Sequence, residues 1–223
     1  MMLYLASKSP RRRQLIALGG WAAQIVPVEI DERPYSGELP GVYVLRMAES
    51  KARGAEIKFP ANGVVIAADT AVVNKENDHV ELLGKPTDGS DAEAMLRKLR
   101  GKIHQVFTAL AIILVKDGTL RTDCCVTDVP MRNYSDEEML AYVQSGDHLD
   151  KAGAYAIQHA HFLPVDNLRG CFASVMGLPL CHLERSLSKL GSMPGTNIAA
   201  ECQSALNYDC PIWQAVLNNE PLG

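Results

Sequence analysis

The stretch MLYLASKSPRRR, residues 2–13, decides the fold. Met2 to Ala6 is a short apolar run that reads as a buried strand. Ser9 offers a capping oxygen and Pro10 suits the first position of a helix, which the pattern carries from Arg11 to Leu18. Gly19-Gly20 stops it. A strand running through a tight turn straight into a helix is the opening unit of an α/β sheet.

The same alternation continues outward. Gln24 to Ile30 reads as a second strand, and a long helix is expected from Pro40 to Phe59, with Val44, Leu45, Ala48 and Ala52 at helical spacing. Val64 to Val73 is a strongly apolar strand, followed by a turn at Lys75 to Asp78 and a return at Val80 to Leu83. Ser90 and Glu93 suggest a capping box for a helix to Arg100, closed by Gly101. Val106 to Lys116 and Leu120 to Met131 form a long hairpin around Asp117-Gly118. Ser135 and Glu138 open a further helix to about Ser145. Phe172 to Met176 reads as a late strand and Pro179 to Leu190 as a helix. Beyond Gly191 the periodicity fades. Residues 192–223 read as an appended tail with one short helix near Ile212 to Leu217, leaving 1–191 as the main domain.

Bulk properties narrow the class. A chain of 223 residues with 47% hydrophobic and 22% charged residues suits a soluble globular domain or two small lobes. No apolar run reaches the roughly 18 residues of a membrane span. The first charges follow the apolar stretch, where a secretory signal has them before it, so a cytoplasmic location and no membrane association are expected. The net charge of -4 and the lack of a basic stripe with interleaved aromatics argue against nucleic acid as a partner. The six cysteines contain no C-x-x-C pair and read as reduced thiols, Cys124 and Cys125 on opposite sides of a strand.

Several segments could carry chemistry. Ser7, Ser9, Arg11 and Arg12 lie where a strand gives way to a helix, so hydroxyls, free amides and planar guanidinium forks gather at the helix's positive end. A Walker A loop is absent. Asp69 ends a run of small residues on a buried strand, a placement suited to activating water or holding a metal. Glu32 could join it in a divalent-cation site completed by phosphate oxygens. Lys51 and Lys85 could neutralise phosphate charge. Gln158 closes the unusual run Asp150 to Gln158 and can both donate and accept toward a base edge. The histidines show neither metal-binding nor triad spacing.

Taken in order, these segments resemble the Maf family of nucleotide pyrophosphatases. The matching stretches are LASKSPRR (5–12), IDE (30–32), YVLRMAESKA (43–52), VIAADTAVV (65–73), LGKP (83–86), AMLRKLRGKIHQVFTAL (94–110), DKAGAYAIQ (150–158) and VMGLPL (175–180). The resemblance spans residues 3–190. It implies an α/β fold, with a long mixed twisted sheet and flanking helices forming two lobes around a cleft. It implies a divalent metal cation (Mg or Mn), a nucleoside triphosphate as substrate, and a homodimer. By motif position Asp69 is the expected base, Glu32 and Asp69 the metal ligands, and Lys51 and Lys85 catalytic cations. Ser7, Ser9, Arg11, Arg12, Thr70 and Gln158 are the expected substrate-binding residues.

Arg12, Thr70 and Gln158 resemble the branch that acts on dTTP and UTP. The alternatives are the sister branch acting on 7-methyl-GTP, a purine house-cleaning pyrophosphatase, and a regulatory inhibitor of septum formation. The chain departs from the family at His159-Ala160-His161-Phe162, where a glycine-rich stretch is expected, at Arg100, and in its long tail.

Overall fold

The structure, a computed structural model, describes residues 2–56, 59, 62–76 and 79–220. Parts of two expectations, residues 57–58 of the long helix and 77–78 of the turn after Val73, lie outside the described residues. Among the described residues six strands form one mixed sheet: β1 (Met2–Leu5), β2 (Ala23–Ile25), β3 (Gly63–Glu76), β4 (His79–Leu83), β5 (Ile103–Leu114) and β6 (Thr119–Pro130). Their order is β2-β1-β3-β5-β6, with β4 paired to β3. β1 lies parallel to β2 and β3, whereas the β3-β5-β6 and β3-β4 pairs are antiparallel. This is the mixed α/β sheet expected from the alternation of elements. Among the described residues no helix is long and apolar enough to cross a membrane.

One edge of β3 is shared by two strands that do not meet. β1 pairs along Gly63 to Ile66 and β4 along Val72 to Glu76, which leaves Ala67 to Ala71 without a partner strand on that side among the described residues. β1 and β4 run in opposite directions, so both carboxyl ends point at the gap. The loops that follow them, Ser7-Lys8-Ser9 and Gly84-Lys85, therefore arrive at the same place.

Alternation along β3 sends successive side chains to opposite faces. Val65, Ala67 and Ala71 pack with Tyr4, Ala109, Ala111 and Ile113 under α2 (Pro40–Glu56), whose Val44, Ala48, Ala52 and Ala55 complete that core. The small residues on both surfaces let α2 lie close to the sheet. Val64, Ile66, Ala68 and Val72 belong to the larger core on the other face, with Leu5, Leu15, Leu96, Leu110, Met139 and Leu183. That face is covered by α1 (Pro10–Leu18), α3 (Gly89–Leu99), α4 (Asp136–Gln144), α5 (Phe172–Met176) and α6 (Leu180–Ser188). Cys124 and Cys125 do face opposite cores.

The structure corrects three expectations of local structure. Phe172 to Met176 is a helical turn, not a strand: Cys171 Sγ accepts from the Ser174 amide, and Gly177 at φ 112° ends it. A short apolar run fits either form, and the caps decide. The second strand stops at Ile25, before Pro27, which has no amide to donate to a ladder. Helix α3 is capped by Asp88, whose carboxylate accepts from the Asp91 amide at 2.9 Å, so Ser90 already lies inside the helix. The box at Ser135 and Glu138 forms as expected.

The C-terminal segment holds α7 (Ile198–Leu206) as well as the expected α8 (Trp213–Leu217). Helix α7 is capped by Asn197 and closed by Asn207 in the left-handed region. The segment is pinned to the main body. Thr196 donates to the Leu18 carbonyl at 2.9 Å, and Arg185 donates to the Val216 carbonyl at 3.2 Å while pairing with Asp123.

Candidate functional site

The gap in the sheet opens into a cleft of about 710 Å³, and all ten residues singled out from the sequence line it. They arrive from six segments of the chain. Ser7, Ser9, Arg11 and Arg12 come from the β1–α1 turn, Glu32 from the loop before α2, Lys51 from α2, and Asp69 and Thr70 from the bare stretch of β3. Lys85 follows β4 and Gln158 ends the segment after α4. Lys85 and Gln158 are exposed, and neither side chain has a hydrogen-bond partner among the described residues.

Asp69 and Thr70 are consecutive, so they face opposite sides. Asp69 turns to the α2 face, where Lys51 Nζ donates to its Oδ1 at 2.6 Å and meets Glu32 Oε1 at 2.7 Å. Thr70 turns to the other face. There Arg12 Nη2 donates to its hydroxyl at 3.1 Å, and the Thr108 hydroxyl lies 3.1 Å from it. Arg12 Nε also donates to the Gly177 carbonyl at 2.8 Å, and Thr108 donates to the Ser174 carbonyl at 2.8 Å. The Thr70 side chain thus fixes Arg12 and couples β3 to α5.

The electrostatics follow from burial. Asp69 is only 7% exposed. Burial holds its carboxyl above the ordinary aspartate value, even though Lys51 and Arg12 pull the other way. A carboxylate of raised proton affinity is a better base once ionised. Glu32 is half-buried. Its burial acts upward, but the hydrogen bond and charge of Lys51, with Lys85 and Arg12 beyond, hold it below the usual range. Burial lowers the Arg12 guanidinium, opposed by Asp69.

At the turn, Ser9 caps α1 by accepting from the Arg12 amide at 3.4 Å, while its own amide donates to Ser7 Oγ at 3.1 Å. The helix has no acidic residue in its first turn, so its positive end faces the cleft uncompensated. With Arg11, Arg12, Lys51 and Lys85 around it, the cleft is built for a polyanion.

Glu32 and Asp69 suit a divalent cation. Their oxygens converge on a single cationic point, the Lys51 ammonium. Mg²⁺ is commonly held by one or two carboxylates with the remaining positions filled by phosphate and water. Among the described residues no group of three or more His, Cys, Asp or Glu could hold a metal ion.

Some supporting residues were not legible in the sequence. Tyr43 donates to the Glu32 carbonyl at 2.9 Å, and Arg46 clamps Glu38 at 2.6 Å while reaching the Arg33 carbonyl, so one face of α2 straps down the loop carrying Glu32. The i,i+3 spacing of Tyr43 and Arg46 on the helix is the available signal. Gly177 sits where a Cβ would meet Arg12 Nε and Thr70 Oγ1 at 3.3 Å. Where a glycine-rich stretch was expected after Gln158, Phe162 stacks on Tyr142 at 4.4 Å and its amide donates to His159 Nδ1. The loop is therefore anchored to α4.

A buried carboxylate flanked by cations at a break in an α/β sheet defines a phosphate-handling class of protein. Comparison with known families gives the particular one: residues 2–190 match the family described as Maf-like protein. The chain belongs to the Maf family. Similar proteins include the dTTP/UTP pyrophosphatases of Anaeromyxobacter dehalogenans (44% identical, 85% of this chain and 94% of that protein) and Dechloromonas aromatica (41%, 87% and 100%). That of Dehalococcoides mccartyi strain BAV1 is 38% identical over 86% of this chain and 84% of its own length. Among solved structures, a dITP/XTP pyrophosphatase from Mycobacterium abscessus overlaps 86% of this chain and 100% of its own at 14% identity and TM-score 0.40.

Proposed function

We propose that the chain hydrolyses a nucleoside triphosphate to the monophosphate and pyrophosphate, with dTTP and UTP as preferred substrates. The observation that carries the reaction is the buried Asp69, raised in proton affinity and set among Lys51, Glu32 and Arg12 at the bare stretch of β3. The pyrimidine preference rests on Arg12, Thr70 and Gln158 and on the likeness to dTTP/UTP pyrophosphatases. Ser7, Ser9, Arg11, Arg12 and Lys85 bind the phosphate oxygens. Lys51 neutralises charge that builds up on the reacting phosphate. Asp69 orients a water molecule and takes its proton as oxygen attacks the α-phosphorus. Gln158 meets the base edge, and Thr70 acts by holding Arg12. A divalent cation held by Glu32 and Asp69 would add charge neutralisation and acidify a bound water.

The test is pyrophosphate release from dTTP, UTP, 7-methyl-GTP and ITP with Mg²⁺ or Mn²⁺, for wild type and Asp69→Asn. The expected result is pyrimidine turnover that falls by at least about 10²-fold in the variant, the usual weight of a general base. Turnover of 7-methyl-GTP or ITP instead would overturn the base preference. Equal turnover by the variant would remove Asp69 as base. Labelled water oxygen found in pyrophosphate rather than in the monophosphate would refute attack at the α-phosphorus.

A further inference from the structure

Among the cleft guanidiniums, Arg12 is held by neutral groups, the Thr70 hydroxyl and the Gly177 carbonyl, whereas Arg11 is held by a carboxylate. Arg11 Nη1 meets Asp150 Oδ2 at 3.1 Å, across 139 residues of sequence. Asp150 is not itself free to move. Its other oxygen accepts from Lys151 Nζ at 2.6 Å. Lys151 is 6% exposed and is locked in turn by the Asp147 carboxylate at 3.0 Å and the Asp147 carbonyl. The segment is seated by Gly153, whose amide donates to the Gly84 carbonyl at 3.0 Å and whose missing Cβ leaves room for Val72. A chain of alternating charges, Asp147, Lys151, Asp150 and Arg11, thus runs from a buried cation to the cleft.

We infer that Asp150 is a positioning residue, which holds Arg11 in the orientation that receives the terminal phosphates of the substrate; this rests on the reading of the cleft as a triphosphate site. One of the five guanidinium N–H groups is committed to Asp150, and the rest stay available to phosphate oxygens. A long side chain fixed before binding loses less freedom on binding. The contrary possibility is simple electrostatics: a carboxylate beside a phosphate site repels the ligand and competes for the arginine. The two differ in sign. If Asp150 positions Arg11, its neutralisation weakens polyphosphate binding; if it merely competes, binding tightens.

The experiment is calorimetric titration of the full chain with inorganic tripolyphosphate, in wild type, Asp150→Asn, Asp150→Glu, Arg11→Gln and the Asp150→Asn/Arg11→Gln double variant. The expected result is binding about tenfold weaker in Asp150→Asn, within the range for a charge-assisted contact that is partly screened. Asp150→Glu should recover most of it. In the Arg11→Gln background, Asp150→Asn should add no further loss, because the effect passes through Arg11. A loss in the double variant equal to the sum of the single losses would overturn the inference, as would equal or tighter binding by Asp150→Asn. Wild type that fails to bind tripolyphosphate would instead overturn the reading of the cleft on which it stands.

Discussion

Replacing Lys51 by methionine removes the cation from between two carboxylates without changing side-chain length much. The Lys51 and Asp69 side chains are only 12% and 10% exposed, so their pair is a buried one. Breaking such a pair leaves an uncompensated buried charge, at a cost of about 3 kcal/mol. The second contact, to Glu32, adds little because that carboxylate is half-exposed and screened. For a chain of this size each kcal/mol lowers Tm by about 2–4 °C, so a loss of about 9 °C is expected near neutral pH.

The pH dependence gives the sharper check. Burial holds the Asp69 carboxyl above its ordinary value, and losing Lys51 raises it further. A carboxyl raised in the folded state favours folding below its unfolded pKa and loses that contribution as pH rises through the folded value. The difference in Tm between wild type and Lys51→Met should therefore be small in acid, where Asp69 is protonated in both, and should widen as pH rises. Thermal unfolding followed by circular dichroism over a series of pH values from mild acid to mild alkali reads this difference. A difference that stays constant, or one that narrows toward neutral pH, would refute a buried Asp69 compensated by Lys51.

Two other perturbations probe the surroundings. Gly177→Ala places a side chain at φ 112° against Arg12 and Thr70. It should cost about 2 kcal/mol in urea unfolding and raise KM for the triphosphate by displacing Arg12. Arg185→Ala removes the contacts to Asp123 and the Val216 carbonyl, so cleavage within residues 207–220 under limited proteolysis should quicken by at least about tenfold while the remainder stays intact.

Much of this arrangement was legible because local chemistry and global fold agree. Ser9-Pro10 announces α1, and the strand period alone puts Asp69 and Thr70 on opposite faces. Their gathering with Glu32, Lys51, Lys85 and Gln158 came from the order of family motifs, since no local rule joins residues so far apart. What could not be read was non-local. Nothing in Leu83 or Leu5 states that β4 and β1 share an edge of β3 and leave a gap between them. The ion chain through Asp150 depends on how the segment after α4 docks. Phe172 to Met176 reads as a strand because its four apolar residues suit strand and helix equally, and the deciding caps are a cysteine sulfur and a glycine. Helix α7 was missed although Asn197 and the spacing of Ile198, Ala199, Cys202 and Leu206 announce it; the surrounding Gly, Pro and Asn masked the pattern.

The gap along β3 also has a mechanical meaning. Toward β1 the sheet is five strands wide and toward β4 it is four, but between them only β3, β5 and β6 run through. The sheet is necked at the level of Asp69, and much of the neck is alanine: Ala67, Ala68, Ala71, Ala109 and Ala111. A plate narrowed at mid-length flexes there first. The two halves can change their mutual angle by bending three continuous strands, without breaking a ladder, and the residues that change separation most are those on the loops facing each other across the notch.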